Sequence, residues 1–219
     1  WQSSGSSGTD TSNQSVQGQR FNASGAPLGG EFQVKSYTTS AQGPAYVAVD
    51  GSGNFVVVWE TNVSAGTDTI EESIQAQRFE SDGNPVGSEF QVNTYTSDEQ
   101  SNPVVAMDSL GNFVVVWESY GSDGTDDDYN SIQCQLYDVD GDPVGGEFQV
   151  NTYTTESQRE PSVAIGPTGE FVVVWDSKHD GVAYNIQGQL FSAAGAPIGS
   201  EFQVNSGTHG AGSVPSLGV

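Results

Sequence analysis

The chain has 219 residues, of which 28 are acidic and 5 are basic, so its net charge is −23. An acidic surface of this strength repels phosphate backbones and anionic headgroups, which argues against nucleic acid and anionic membranes as partners. The single cysteine, Cys134, excludes an intrachain disulfide, and no apolar run approaches the roughly 18–20 residues that span a bilayer, so we expect no membrane insertion.

An internal repeat dominates the chain. Phe-Val-Val-Val-Trp ends at Trp59, Trp117 and Trp175 in steps of 58 residues, and Trp1 lies another 58 residues before Trp59. Three further motifs, Gln-x-Gln, Gly-x-Pro-aliphatic-Gly and Glu-Phe-Gln-Val, each recur four times with steps of 58, 58 and 54 residues. The short last step predicts a four-residue deletion in a surface loop between Trp175 and Gln187.

The repeat predicts five consecutive segments. Residues 1–44 are a partial repeat that supplies the third and fourth strands, and 215–219 begin a further repeat. Complete repeats occupy 45–102, 103–160 and 161–214, the last with the shortened loop. Because the repeat is cut at both ends, we expect this chain to be a piece of a longer array or one turn of a repeating assembly.

Each repeat predicts four strands in chain order. In the first complete repeat, these strands occupy 46–50, 55–60, 74–79 and 90–93. The second strand is apolar on both faces, as in a strand buried between layers, and the third alternates aliphatic residues with glutamine. The Gly-Asn-Pro-Val-Gly segment at 83–87 predicts the hairpin turn between the third and fourth strands.

Four sequential strands joined mostly by short turns predict an antiparallel meander, and a repeated meander is a β-propeller blade. The predicted fold is therefore all-β, with tandem four-stranded antiparallel blades that make up about four blades or a fragment of a larger ring. The alternatives are an open β-repeat fibre or a solenoid with stacked glutamine ladders, and tandem β-sandwiches.

Three motifs together resemble a known repeat family. Phe-Val-Val-Val-Trp-Glu-Ser, Ile-Gln-x-Gln-Leu-Tyr and Gly-x-Pro-Val-Gly-Gly-Glu-Phe-Gln-Val-Asn-Thr are similar to the WD40-like or FG-GAP-like repeats of large secreted or adhesin-type bacterial proteins. The resemblance covers nearly the whole chain and implies an extracellular or cell-surface location. It carries no catalytic residue, and the Gly-His and Trp-Asp pairs of true WD40 repeats are missing.

Two sets of conserved repeat positions are candidates for binding. The tryptophans could stack on sugars, although core packing is the favoured interpretation. The acidic residue that follows each complete strand could line a channel or bind a cation, but we expect it to be the first solvated residue beyond the core. These sets are Trp1, Trp59, Trp117 and Trp175, and Glu60, Glu118 and Asp176.

The acidic loop at 122–128 is the best candidate for a metal site, with Asp123, Asp126, Asp127 and Asp128 as ligands. Calcium prefers several oxygen ligands, so calcium is the possible ion, although the spacing does not match an EF-hand and the other repeats do not share it. A solvated acidic loop is the alternative. No organic cofactor is expected. Asp50 and Asp108 are predicted to cap the turns that follow them.

Three sequons predict glycosylation, at Asn13, Asn22 and Asn62. Nothing in the sequence predicts catalysis: the motifs of serine hydrolases, zinc proteases and phosphate loops do not occur. The two histidines, His179 and His209, lie in a variable loop and in a glycine-rich stretch, where we expect exposed bystanders.

The leading functional hypothesis is a non-catalytic, extracellular structural or adhesive repeat protein. Its buried strands are nearly identical between repeats, so copies could share strands head to tail and form a filament. The alternative is a lectin-like propeller that binds glycans multivalently. A hydrolase is the third hypothesis, and it depends only on the fact that propellers also carry enzymes.

Overall fold

The structure is a computed structural model that describes residues 1–4, 14–35, 42–62, 67, 71–122, 126, 129–178, 184–207 and 215–218. The regular structure in these ranges consists of fifteen β-strands, so the predicted all-β class is confirmed. Within the same ranges, no helix is long and apolar enough to cross a membrane.

The strands form four consecutive antiparallel sheets. Sheet 1 has three strands, β1 (Gln2–Ser4), β2 (Gln14–Phe21) and β3 (Pro27–Gln33). Sheet 2 contains β4 (Gln42–Val49), β5 (Phe55–Thr61), β6 (Ser73–Phe79) and β7 (Pro85–Gln91). Sheet 3 contains β8 (Gln100–Met107), β9 (Phe113–Tyr120), β10 (Asn130–Tyr137) and β11 (Pro143–Gln149). Sheet 4 contains β12 (Gln158–Ile165), β13 (Phe171–Ser177), β14 (Asn185–Phe191) and β15 (Pro197–Gln203).

Each sheet is a meander in which sequential strands are neighbours, as in a propeller blade. The first strands of successive sheets lie together, β4 beside β8 and β8 beside β12. Hydrogen-bonded ladders run within the sheets and not from repeat to repeat, in contrast to a solenoid. The tandem four-stranded blades predicted from the repeat are therefore confirmed.

The hydrophobic core lies between successive sheets. One apolar cluster joins Val56, Val58 and Ile74 of sheet 2 to Phe113 and Trp117 of sheet 3. Equivalent clusters join sheet 1 to sheet 2 and sheet 3 to sheet 4. The Phe-Val-Val-Val-Trp strand is apolar on both sides because one set of its side chains packs on the preceding sheet and the other set packs on the following sheet.

The first strand of each complete sheet begins about four residues earlier than predicted. β8, for example, starts at Gln100, and its pairing with β9 shifts register between Ser101 and Val104. Asn102 lies inside this bulge with φ +51°, and Pro103 follows it. A bulge accommodates proline and interrupts the alternation of side chains, so the polar first half of the strand did not resemble a strand in the sequence.

The predicted hairpin turn at 83–87 is wrong. The turn lies at 80–84, where the amide of Glu80 donates to the carbonyl of Asn84 (2.8 Å). β7 starts at Pro85, within the segment assigned to the turn, and Gly87 has φ +69° next to a bulge in the β6–β7 pair. Proline and glycine occur here because an edge strand can begin at proline and a bulge requires positive φ.

The turn after the first strand is capped by aspartate, as predicted. Oδ1 of Asp108 accepts hydrogen bonds from the amides of Leu110 (2.9 Å) and Asn112 (3.0 Å). Asp50 caps the equivalent turn one repeat earlier through the amides of Ser52 and Asn54. These side chains are occupied by their own turns, as in other Asx turns.

Candidate interaction surfaces

Three of the four repeat tryptophans are core residues. Trp59, Trp117 and Trp175 are fully buried. The indole Nε1 of Trp117 donates to Oε1 of the buried Gln100 (3.0 Å), and the same pair forms one repeat later. Core packing is therefore confirmed for these three rings, which leaves them closed to sugars. Trp1 differs, since 54% of its surface is exposed.

The acidic residue after the tryptophan joins one sheet to the next. Glu118 is only 3% exposed, so the expectation of a solvated residue is wrong. Its carboxylate accepts hydrogen bonds from the amide of Glu160 (2.7 Å) in sheet 4 and from Nδ2 of Asn102 and Asn130 (both 2.9 Å). One repeat earlier, Glu60 accepts from the amide of Asn102 (3.3 Å). Each carboxylate therefore satisfies a backbone amide in a bulge of the following sheet.

Burial controls the ionisation of these carboxyl groups. Removal from water raises the pKa of Glu118, and the three donors lower it by a smaller amount. Burial also raises the pKa of Glu60, with further contributions from the charges of Glu72, Glu99 and Glu118. The donors around Glu118 are all protein groups, and we interpret this network as a contact between sheets.

The structure places one residue of the predicted calcium site. Asp126 is fully buried, and its Oδ2 accepts a hydrogen bond from Nδ2 of Asn151 (3.0 Å). Among the described residues, no group of three or more potential metal-ligating side chains occurs. The calcium site stays a prediction, because its other three residues lie outside the described ranges, as do both histidines: Asp123, Asp127, Asp128, His179 and His209.

Two predicted glycosylation sites lie on the surface. Asn22 is exposed, and its Oδ1 accepts from the amide of Ser24 (3.0 Å) in the turn between β2 and β3. Asn62 is exposed at the end of β5, where its Nδ2 donates to Glu72. Asn13 lies outside the described residues. Glycosylation of these asparagines stays a prediction.

An aromatic pair recurs at each junction between sheets. Phe32 of sheet 1 contacts Phe79 of sheet 2, with ring centroids 5.6 Å apart. The equivalent centroids are 5.5 Å apart between sheets 2 and 3 and 5.6 Å apart between sheets 3 and 4. These later pairs are Phe90 with Tyr137, and Phe148 with Phe191.

Two further contacts connect the edges of successive sheets. Arg20 of β2 donates through Nη1 to the carbonyl of Ser81 (2.7 Å) in the β6–β7 turn of the next sheet. Arg78 reaches the next turn in the same way, and Nη2 donates to the carbonyl of Val139 (2.6 Å). A carboxylate completes the polar rim, since Glu147 accepts from the amide (2.6 Å) and hydroxyl (2.8 Å) of Thr94 in the preceding sheet.

The first and last sheets expose the same positions that are buried at the internal junctions. Phe21 on sheet 1 is 60% exposed, whereas its repeat equivalent Phe79 is buried. On sheet 4, Phe202 is 40% exposed and Val204 is 54% exposed, whereas Val92, the equivalent of Val204, is 2% exposed. We call Trp1 and Phe21 the sheet 1 face, and Leu190, Phe202 and Val204 the sheet 4 face. Each is one half of an internal junction.

A cavity of about 540 Å³ lies between sheets 1 and 2. Its lining is mainly apolar and includes Val16, Phe32, Val47 and Val57. At the other end of the array, the amide of Leu217 donates to Oγ of Ser162 in β12 (3.1 Å), so residues 215–218 lie next to the first strand of sheet 4.

Comparisons with known proteins establish the fold only in outline. No family model and no curated protein matches the chain. A solved structure, a GH43 endo-arabinanase from Bacillus licheniformis, is similar with 13% identity and a TM-score of 0.39. The match covers 70% of this chain and 55% of the arabinanase. It agrees with tandem sheets of the propeller-blade type and carries no argument about activity.

Proposed function

We propose that this chain is a non-catalytic structural or adhesive repeat of an extracellular protein and that it self-associates head to tail. The supporting observation is the pair of exposed end faces, whose residues repeat the two halves of the buried junctions between sheets. Contiguous apolar surface of this kind is typical of interaction sites. A contact between two different faces propagates, so it produces filaments unless the geometry closes it into a ring.

Further features support an extracellular role. The net charge of −23 is carried by a surface rich in glycine, serine, threonine and asparagine, and the family resemblance points to secreted or adhesin-type bacterial proteins. The sole thiol, Cys134, is buried, and burial raises its pKa well above the ordinary value, so it is poorly suited to nucleophilic chemistry. The buried carboxylate Glu118 is occupied by three protein donors.

The lectin alternative has less support in the described residues. Aromatic rings that stack on sugars must be accessible, and three of the four repeat tryptophans are fully buried. A glycan array with the whole chain tests this alternative directly: multivalent binding would favour the lectin over the structural repeat.

Self-association is tested by sedimentation velocity over a wide concentration series, followed by electron microscopy of the concentrated sample without a tag. We expect the sedimentation coefficient to rise with concentration and linear particles to appear. A single species with the mass of one chain at every concentration would contradict the proposal.

A further inference from the structure

We propose that sheet 4 of one chain packs on sheet 1 of a second copy, in the register that joins successive sheets within a chain. This inference rests on the self-association proposed above and specifies its interface. Phe202 of one copy then faces Phe21 of the next copy and forms the fourth member of the aromatic series. The partner surface is therefore another molecule of this chain, approached through its opposite end.

The aromatic positions support this register. At all three internal junctions, the phenylalanine of the fourth strand contacts the aromatic residue that ends the third strand of the following sheet, at 5.5–5.6 Å between centroids. Phe202 occupies the first of these positions in sheet 4, and Phe21 occupies the second in sheet 1. Both are exposed, so each ring offers half of a contact. Offset or tilted ring pairs at this distance are favourable beyond their buried area.

The turn glycines support the same register independently. A Cβ at Gly83 would lie 2.8 Å from Nε of Arg20, and a Cβ at Gly195 would lie 3.0 Å from Cδ1 of Leu136, because the preceding sheet presses on each turn. Gly25 is the equivalent residue of sheet 1, and nothing lies within 4 Å of a Cβ built there. Leu190 is the exposed equivalent of Leu136 on sheet 4. The turn at Gly25 is thus open for the Leu190 side chain of a second copy.

A polar contact is also available at the rim. Internally, the threonine two residues after the junction valine donates to a glutamate of the next sheet, as Thr152 does to Glu201. Ser206 takes the position of this threonine after sheet 4, and Glu31 takes the position of the glutamate in sheet 1; both are exposed. A serine hydroxyl preserves the donor, so the proposed interface retains the rim hydrogen bond.

The test uses charge substitutions on opposite faces of the whole chain. Phe21→Arg blocks the sheet 1 face, Phe202→Arg blocks the sheet 4 face, and Leu110→Arg is the control because Leu110 is 71% exposed in the β8–β9 turn, away from both faces. Circular dichroism and thermal unfolding establish that each variant is folded. We expect either blocking substitution to weaken association at least about 30-fold, and the control to associate normally.

Mixing the two blocked variants determines the polarity of the interface. In the proposed register, the intact sheet 4 face of Phe21→Arg binds the intact sheet 1 face of Phe202→Arg, so two chains that are monomeric alone form a one-to-one dimer. Dimers formed by either variant alone would indicate contact between like faces and would overturn the inference while self-association stands. Association that neither substitution weakens would overturn it in the same way. An unsubstituted chain that stays monomeric would remove both the inference and the proposed function.

Discussion

Val92 and Val204 occupy the same position of the repeat in two different environments. In both residues the amide donates to the carbonyl of an isoleucine in the third strand, Ile74 or Ile186, at 2.8 Å. Val92 is buried against sheet 3, whereas Val204 is 54% exposed on the sheet 4 face. Substitution to alanine at these two positions therefore compares a formed junction with an open one in the same backbone context.

The expected magnitudes follow from the buried surface. Val92→Ala removes two buried methyl groups, which corresponds to about 1.6 kcal/mol at roughly 0.8 kcal/mol each, and the residual cavity raises the loss to about 2–3 kcal/mol. Val204→Ala removes the same groups from a largely solvated site and should change the free energy of unfolding of the isolated chain by less than about 0.5 kcal/mol.

Urea denaturation followed by tryptophan fluorescence measures both values, at protein concentrations where the chain sediments as a monomer. The m-value should stay constant, so that the shift in midpoint reports stability alone. In concentrated samples, Val204→Ala should weaken association while Val92→Ala leaves the interface chemistry intact. If the two substitutions destabilised the dilute chain equally, the sheet 4 face would already be covered within one chain, and the reasoning from end faces would be refuted.

Three other substitutions test the junctions themselves. Burial raises the pKa of Glu118 above its ordinary value of 4.5, so the stability that protonation contributes is present below about pH 4.5 and lost as the pH rises through the raised pKa; Glu118→Gln should remove this part of the pH dependence, measured as the difference in unfolding free energy between the two chains. Gly195→Ala should cost about 1 kcal/mol or more beyond Gly25→Ala, since both have similar positive φ (+77° and +79°) and only Gly195 is covered; equal midpoints in urea would contradict this. Gln100→Leu removes the acceptor of the buried Trp117 indole and should lower the free energy of unfolding by about 1–3 kcal/mol; an unchanged thermal midpoint would show that the pair contributes little.

The parts of the fold that the sequence predicted correctly are those with a continuous local signal. Residues 55–60 are β-branched or aromatic on both faces, and β5 starts at Phe55 as predicted. The strands that were misplaced contain bulges. Proline and glycine at 85–87 carry the chemistry of a turn, and only the pairing with β6 shows that the same residues begin an edge strand.

The candidate surfaces were harder to predict because their partners are distant in sequence. Glu118 receives its shortest hydrogen bond from the amide of Glu160, 42 residues later. The retention of an acidic residue after Trp59, Trp117 and Trp175 was the available signal, since a solvated position has no need for it in every repeat. The exposure of Phe21 and Val204 depends on which sheet is adjacent, and this information lies in the assembly of repeats and not in the local sequence.

A self-similar array creates complementary ends by construction. Each internal junction pairs the two faces of a single repeat, so the faces at the two ends match each other as well as the internal faces do. Repeat proteins that remain soluble as single units usually end in repeats with a polar outer face. Phe21 at one end and Phe202 with Val204 at the other are apolar and exposed instead. The replacement of Arg20 and Arg78 by leucine at positions 136 and 190 makes the sheet 4 end less polar, whereas the charge of −23 on each chain opposes association. Apolar contact between the ends must therefore outweigh this repulsion, which makes the two end faces the strongest determinants of assembly in the chain.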